Sequence, residues 1–179
     1  MALLNILKYP DPFLKTKAAP VQSIDLEVKK LISDMVETMA MARGIGLAAT
    51  QVGVGKRVVV LNVPVGENDE ERRERGKNLV VLVNPEIVGS SGSITYDEGC
   101  LSVPGVTAEV ERFSNVTVKA LDRDGAPFEI KAEGLFAIAL QHEIDHLDGI
   151  LFIDRLSRLK RELIKRKYKK AMERQDRAL

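Results

Sequence analysis

The sequence predicts an α+β fold in a single domain: a mostly antiparallel sheet packed around one central buried helix, with further helices towards the N- and C-terminal ends. Three observations predict it. Residues 135–153 are apolar on nearly every face, yet enclose Gln141-His142-Glu143-Ile144-Asp145-His146-Leu147-Asp148-Gly149, the pattern of a helix sunk in a core. The runs Arg57–Val63 and Leu79–Val83 are rich in β-branched residues, and Val116–Leu121 and Pro127–Ala132 alternate around Asp124-Gly125, a hairpin signal. Helical spacing of apolar residues returns near both ends. With 179 residues, 45% of them hydrophobic, the chain is long enough for one substantial core.

In chain order, Pro10, Pro12 and Pro20 exclude a continuous opening helix and predict an extended segment lying on the body. From Asp25 to Ala42, Leu26, Leu31, Ile32, Met35, Val36 and Met39 repeat at helical spacing, and Met35, Met39 and Met41 read as packing rather than as a sulfur site. The segment Gly44–Gln51 is small and uncharged, so its backbone can approach a ligand closely, although a helix C-cap followed by a turn has the same signature. It lacks the Lys-Ser or Lys-Thr pair of a phosphate-cradling loop. Pro85 is expected to end the strand Leu79–Val83. Glu67–Lys77 is almost all charge and reads as a solvated loop. A flexible turn at Ser90–Ser93 leads to the only cysteine, Cys100, between Gly99 and a Pro104-Gly105 turn. Gly149 stops the central helix. Residues 156–179 predict an amphipathic helix, with Leu156, Leu159, Leu163, Ile164, Tyr168 and Met172 on one face and basic residues on the other.

The net charge of +1 hides an asymmetry, because residues 155–179 carry +8 and the first 154 carry −7. One cysteine excludes an internal disulfide. No stretch reaches the length of a membrane span, and Met1–Phe13 lacks a basic leader, so a cytoplasmic protein is expected, with neither a membrane nor DNA as partner.

Burying two imidazoles and a carboxylate is costly unless something pairs them, and His142 and His146, four apart, project from one helix face. A metal ion held by the histidines, with Glu143 handling the proton of a water beside the open coordination position, meets that need and points to hydrolysis. The third ligand separates the classes. Phe152 stands where one peptidase class has its third histidine. Glu162 is an alternative in the basic tail, and Cys100 is the best remaining donor, its thiolate being a soft ligand next to a glycine. A small metallopeptidase and a ribosome- or RNA-binding protein with a structural metal are the rival readings.

Three segments together, Gly44–Gln51 (GIGLAATQ), Glu98–Ser102 (EGCLS) and Gln141–Gly149 (QHEIDHLDG), resemble the peptide deformylases in order and spacing, with Tyr9–Leu14 (YPDPFL) also fitting. The resemblance covers most of residues 3–160 and implies removal of the formyl group from formyl-methionyl chains, giving formate and a free N-terminal methionine. It implies Cys100, His142 and His146 as metal ligands and Glu143 as general acid and base, with the Gln51 side chain and the Leu101 N–H around the formyl oxygen. Gly44, Ile45 and Gly46 are similar to the family's backbone-pairing segment, a mode that needs close approach. Ile138, one turn before His142, is expected with Ile45 in the wall of a methionine pocket. The family implies ferrous iron with nickel or cobalt as substitutes, and coordination chemistry alone also accepts zinc.

Thr107 and Glu111 depart from the family pattern, standing where a basic residue and a proline are expected, and the Glu67–Lys77 loop is longer than in compact members. The 156–179 extension resembles a helix that docks on the ribosome, where contacts from Lys and Arg to phosphates make binding salt-dependent.

Overall fold

The computed structural model describes residues 2–64 and 78–176; the charged stretch Glu67–Lys77 lies outside the described residues. The elements run α1 (Leu26–Met41), β1 (Gly46–Ala48), β2 (Val58–Asn62), β3 (Leu79–Ser91), β4 (Ile94–Cys100), β5 (Val103–Arg112), β6 (Asn115–Leu121), β7 (Pro127–Glu133), α2 (Gly134–Leu147) and α3 (Arg158–Asp176). Five strands form an antiparallel sheet in the order β1-β2-β3-β6-β7, and β4 and β5 form a separate two-stranded sheet.

The pleat of β2 explains how the layers pack. Successive side chains of a strand face opposite sides, and Val59 and Leu61 join the cluster around α2 while Val58 and Val60 join the cluster under α1. The sheet is therefore covered on both faces, which is why β2 reads as an unbroken apolar run. α1 begins where Asp25 caps it, accepting the Val28 N–H at 2.9 Å. Met35 and Met39 are core residues, as expected, but Met41 and Leu26 are 69% and 85% exposed and sit off the packing face.

The strand expected to stop before Pro85 continues to Ser91. The register breaks between Val83 and Glu86, so the proline, which has no N–H to give, occupies a bulge. Asn84 there has φ 53°, and its side chain both accepts from the Val21 N–H (2.8 Å) and donates to the Val21 carbonyl (2.9 Å), tying the opening segment to the sheet.

Eleven of the fourteen residues of α2 are buried, which makes it the hub of the fold. Gly149, with φ 72°, follows its end, and a Cβ there would collide with the Lys15 backbone, so only glycine fits. A third cluster joins Leu14, Val103, Val110 and Leu151–Ile153 to Leu156 and Tyr168, seating α3 on β5. Leu159 and Leu163, expected on that buried face, are 74% and 50% exposed. Among the described residues of the helix, the apolar contacts with the body run through Ile164, Tyr168 and Met172.

Candidate metal centre and catalytic cleft

α2 projects His142 and His146 from one face, with their Nε2 atoms 3.2 Å apart. Cys100, the last residue of β4, brings its Sγ to 3.2 Å from His146 Nε2. The three donor atoms lie within 4.8 Å of one another and are the metal-holding group found among the described residues. Two imidazole nitrogens and a sulfur so close repel through their lone pairs unless a cation stands among them, and the set of one soft sulfur and two nitrogens suits a divalent first-row metal.

His142 is held by a chain of charges that is buried at Glu98, Arg112 and Asp145 and ends on the exposed Arg155. Glu98 Oε2 lies 2.7 Å from His142 Nδ1, which turns Nε2 towards the site. Arg112 grips Glu98 with two bonds, at 2.7 and 3.0 Å, and donates to Asp145 at 2.5 Å. Arg155 closes the chain on Asp145 with two bonds of 2.5 Å. Burial pushes the Glu98 carboxyl up, but hydrogen bonds from Arg112 and His142 outweigh it and hold it at about 2, well inside the ionised range. Burial also works against a charged His142, yet hydrogen bonds to Cys100 and Glu98 drive its pKa well up. Burial and the charge of His142 drive His146 down. A positive charge is thus favoured at His142 and disfavoured at His146.

Glu143 sits beside them, 5% exposed, with a carboxylate oxygen that finds no hydrogen-bond partner. Burial, opposed by the charge of His142, pushes its carboxyl up to about 7. A Cβ on Gly46 would collide with this carboxylate, and one on Gly44 would come within 2.7 Å of a Leu101 methyl. The glycines therefore serve the site itself as well as leaving backbone free.

Gln51 is 1% exposed and fixed by its own amide: its oxygen accepts the Ala48 N–H (2.9 Å), which turns Nε2 towards Ser102 Oγ (3.1 Å) and Cys100 Sγ (3.6 Å). A cavity of about 420 Å³ opens over these groups, lined by Gly44, Ile45, Gly46, Gln51, Leu101, Ile138, His142 and Glu143 among others. β1, which borders it, is an edge strand of the large sheet. The structure thus brings all the sequence-derived site residues to one place, with His146 behind the cleft at 1% exposure. Glu162 is exposed and pairs with Lys165, away from the metal donors. Thr107 and Glu111 do not line the cleft; Thr107 is exposed and Glu111 accepts the Ser93 hydroxyl at 2.6 Å. Sequence reasoning missed the roles of Glu98, Arg112, Asp145 and Ser102. Glu98, Ser102 and Asp145 lie inside the motifs, whereas nothing near Arg112 in the sequence marks it.

The model of the family described as polypeptide deformylase matches residues 3–162. The chain is 54% identical over 169 residues to a peptide deformylase from Thermodesulfovibrio yellowstonii, covering 94% of this chain and 98% of that one. It is 54% identical over 170 residues to one from Chromobacterium violaceum, covering 95% and 96%. The crystal structure of a peptide deformylase from Legionella pneumophila superposes with a TM-score of 0.87 at 49% identity, covering 98% of this chain and 99% of that one. That of Ehrlichia chaffeensis in complex with actinonin gives 0.86 at 42%, covering 96% and 98%. With the family model spanning most of its length and a cysteine–histidine–histidine centre at its heart, the chain belongs to the polypeptide deformylase family, metal-dependent hydrolases that free new polypeptides of their N-formyl group.

Proposed function

We propose that this chain removes the formyl group from formyl-methionyl peptides with Cys100, His142 and His146 holding ferrous iron and Glu143 moving the proton. The observation that carries the reading is the buried Glu143 carboxylate, unpartnered and with its pKa near 7, beside three converging metal donors. A divalent cation held there supplies Lewis acidity at the open side of the site, and nickel, cobalt or zinc can stand in for iron.

The peptide enters along β1, its backbone pairing with Gly44, Ile45 and Gly46 as an added strand. Its methionine side chain goes against Ile45 and Ile138, both of which line the cleft. The Gln51 amide nitrogen and the Leu101 N–H receive the formyl oxygen, and they stabilise the negative charge that develops as the carbon becomes tetrahedral. Glu143 takes a proton from the attacking water and passes it to the departing amine as the carbon–nitrogen bond breaks. Formate and a free N-terminal amine result, and Glu143 is returned to its starting state.

Residues 1–179 serve as one catalytic domain, of which 156–179 is a basic extension that contacts the ribosome, where the substrate emerges. Tyr168 is buried against the body, whereas Arg166, Lys167, Lys169 and Lys170 are exposed. A substrate made by ribosomes places the reaction in the cytoplasm. No helix of the described residues is long and apolar enough to cross a membrane.

The test is formate release from formyl-Met-Ala-Ser by anaerobically purified protein and by Glu143→Gln, with metal content assayed in both. Release by the wild type, lost in the variant with metal retained, supports the reading. An iron-loaded wild type that releases no formate overturns it.

A further inference from the structure

The Leu101 N–H faces the formyl oxygen in this mechanism, but the Leu101 carbonyl belongs to the next peptide group, which links Leu101 to Ser102. That group is held at both ends. Its oxygen accepts from Lys8 Nζ at 2.5 Å, and its N–H, on Ser102, points to Cys100 Sγ at 3.4 Å. An amide whose carbonyl is bonded to a cation becomes a stronger donor at its N–H. One peptide group therefore transmits the ammonium's pull to the sulfur.

The segment that presents Lys8 is pinned on either side of it. The Leu7 N–H donates to the Gln51 carbonyl and the Tyr9 N–H to the Ser102 carbonyl, each at 2.8 Å. The Tyr9 ring also meets the Tyr168 ring edge to face, 5.7 Å between centroids. Lys8 is thus carried by a strap that spans both segments supplying donors to the formyl oxygen, and its head group is directed at one carbonyl.

We infer that Lys8 is a positioning residue for the cysteine donor: by polarising the Leu101–Ser102 peptide it strengthens the Ser102 N–H···Sγ bond and draws electron density from the sulfur. A sulfur that donates less leaves a bound cation more positive, the usual effect of hydrogen bonds to a ligating thiolate. The inference rests on the reading of Cys100 as a ligand.

The test uses the full chain loaded with cobalt(II), as wild type, Lys8→Met, Lys8→Arg and Cys100→Ser. The readouts are the near-ultraviolet sulfur-to-cobalt charge-transfer band and cobalt affinity by chelator competition. Lys8 is exposed, so its variants keep the fold, which a thermal melt checks. Lys8→Met is expected to move the band to longer wavelength and to tighten cobalt binding by up to about tenfold, because the sulfur donates more and a nearby positive charge is gone. Lys8→Arg restores both. An unmoved band in Lys8→Met overturns the inference, and weaker cobalt binding with an unmoved band reduces Lys8 to a mechanical brace. A wild type without the band, or Cys100→Ser retaining it, overturns instead the ligand reading beneath.

Discussion

α2 and α3 are both helices dense in ionisable side chains, and they use them in opposite ways. In α2, His142, Glu143, Asp145 and His146 are all buried, and each is either paired within the Glu98–Arg112–Asp145–Arg155 chain or turned to the metal site. In α3 the charges of Arg158, Lys160, Glu162, Arg166, Lys167, Lys169, Lys170 and Glu173 stand in solvent, and the helix is held by Tyr168 with Ile164 and Met172. Buried charge must be compensated inside the molecule, so it specifies geometry; exposed charge is weakly coupled to the fold and free to meet a partner.

Substitution should break this contrast in graded fashion. Glu143→Gln removes the proton carrier without changing side-chain size, and steady-state assays should show kcat down by about 10²–10⁴-fold with metal retained. Arg112→Ala leaves Glu98 and Asp145 buried without their shared cation, and denaturant unfolding of the metal-free protein should show a loss of about 3–5 kcal/mol.

The Glu98 carboxyl sharpens the same side of the comparison through acid. Its folded pKa of about 2 lies below the ordinary 4.5, so its contribution is complete above pH 4.5 and is lost as pH falls towards 2. Melting temperatures of the metal-free protein should fall through that window, and Glu98→Gln should flatten the fall. The smallest effect on the fold belongs to α3. Lys169→Glu with Lys170→Glu should change stability by no more than about 0.5 kcal/mol. The pair should nonetheless lower ribosome binding in a sedimentation assay and make it less salt-dependent.

Much of this architecture was legible because the burial pattern is written in local periodicity. α2, the β6–β7 hairpin and α1 all stand within a residue or two of where spacing put them. The β4–β5 hairpin was not legible: its connection, Leu101-Ser102, carries no asparagine–glycine signal, and its strands alternate weakly. Pro85 misled because a proline that ends most strands is tolerated at a bulge. For the site, His142, His146 and Glu143 declared themselves by spacing within one helix, whereas the place of Cys100 in it followed from chemistry and family resemblance. Arg112 was hidden because its partners, Glu98 and Asp145, are 14 and 33 residues away. Leu159 and Leu163 looked like core because periodicity shows that a helix has an apolar face, not how much of that face the body covers.

The central claim is that the buried charge of α2 exists to present three donors to one cation. Anomalous diffraction at the iron edge, from crystals of anaerobically prepared iron-loaded protein, tests it most directly. A single peak bonded to Cys100 Sγ and to the Nε2 atoms of His142 and His146, with Glu98 still on His142 Nδ1, is the predicted result. A peak that includes Glu98 or excludes Cys100 among its ligands would contradict the account.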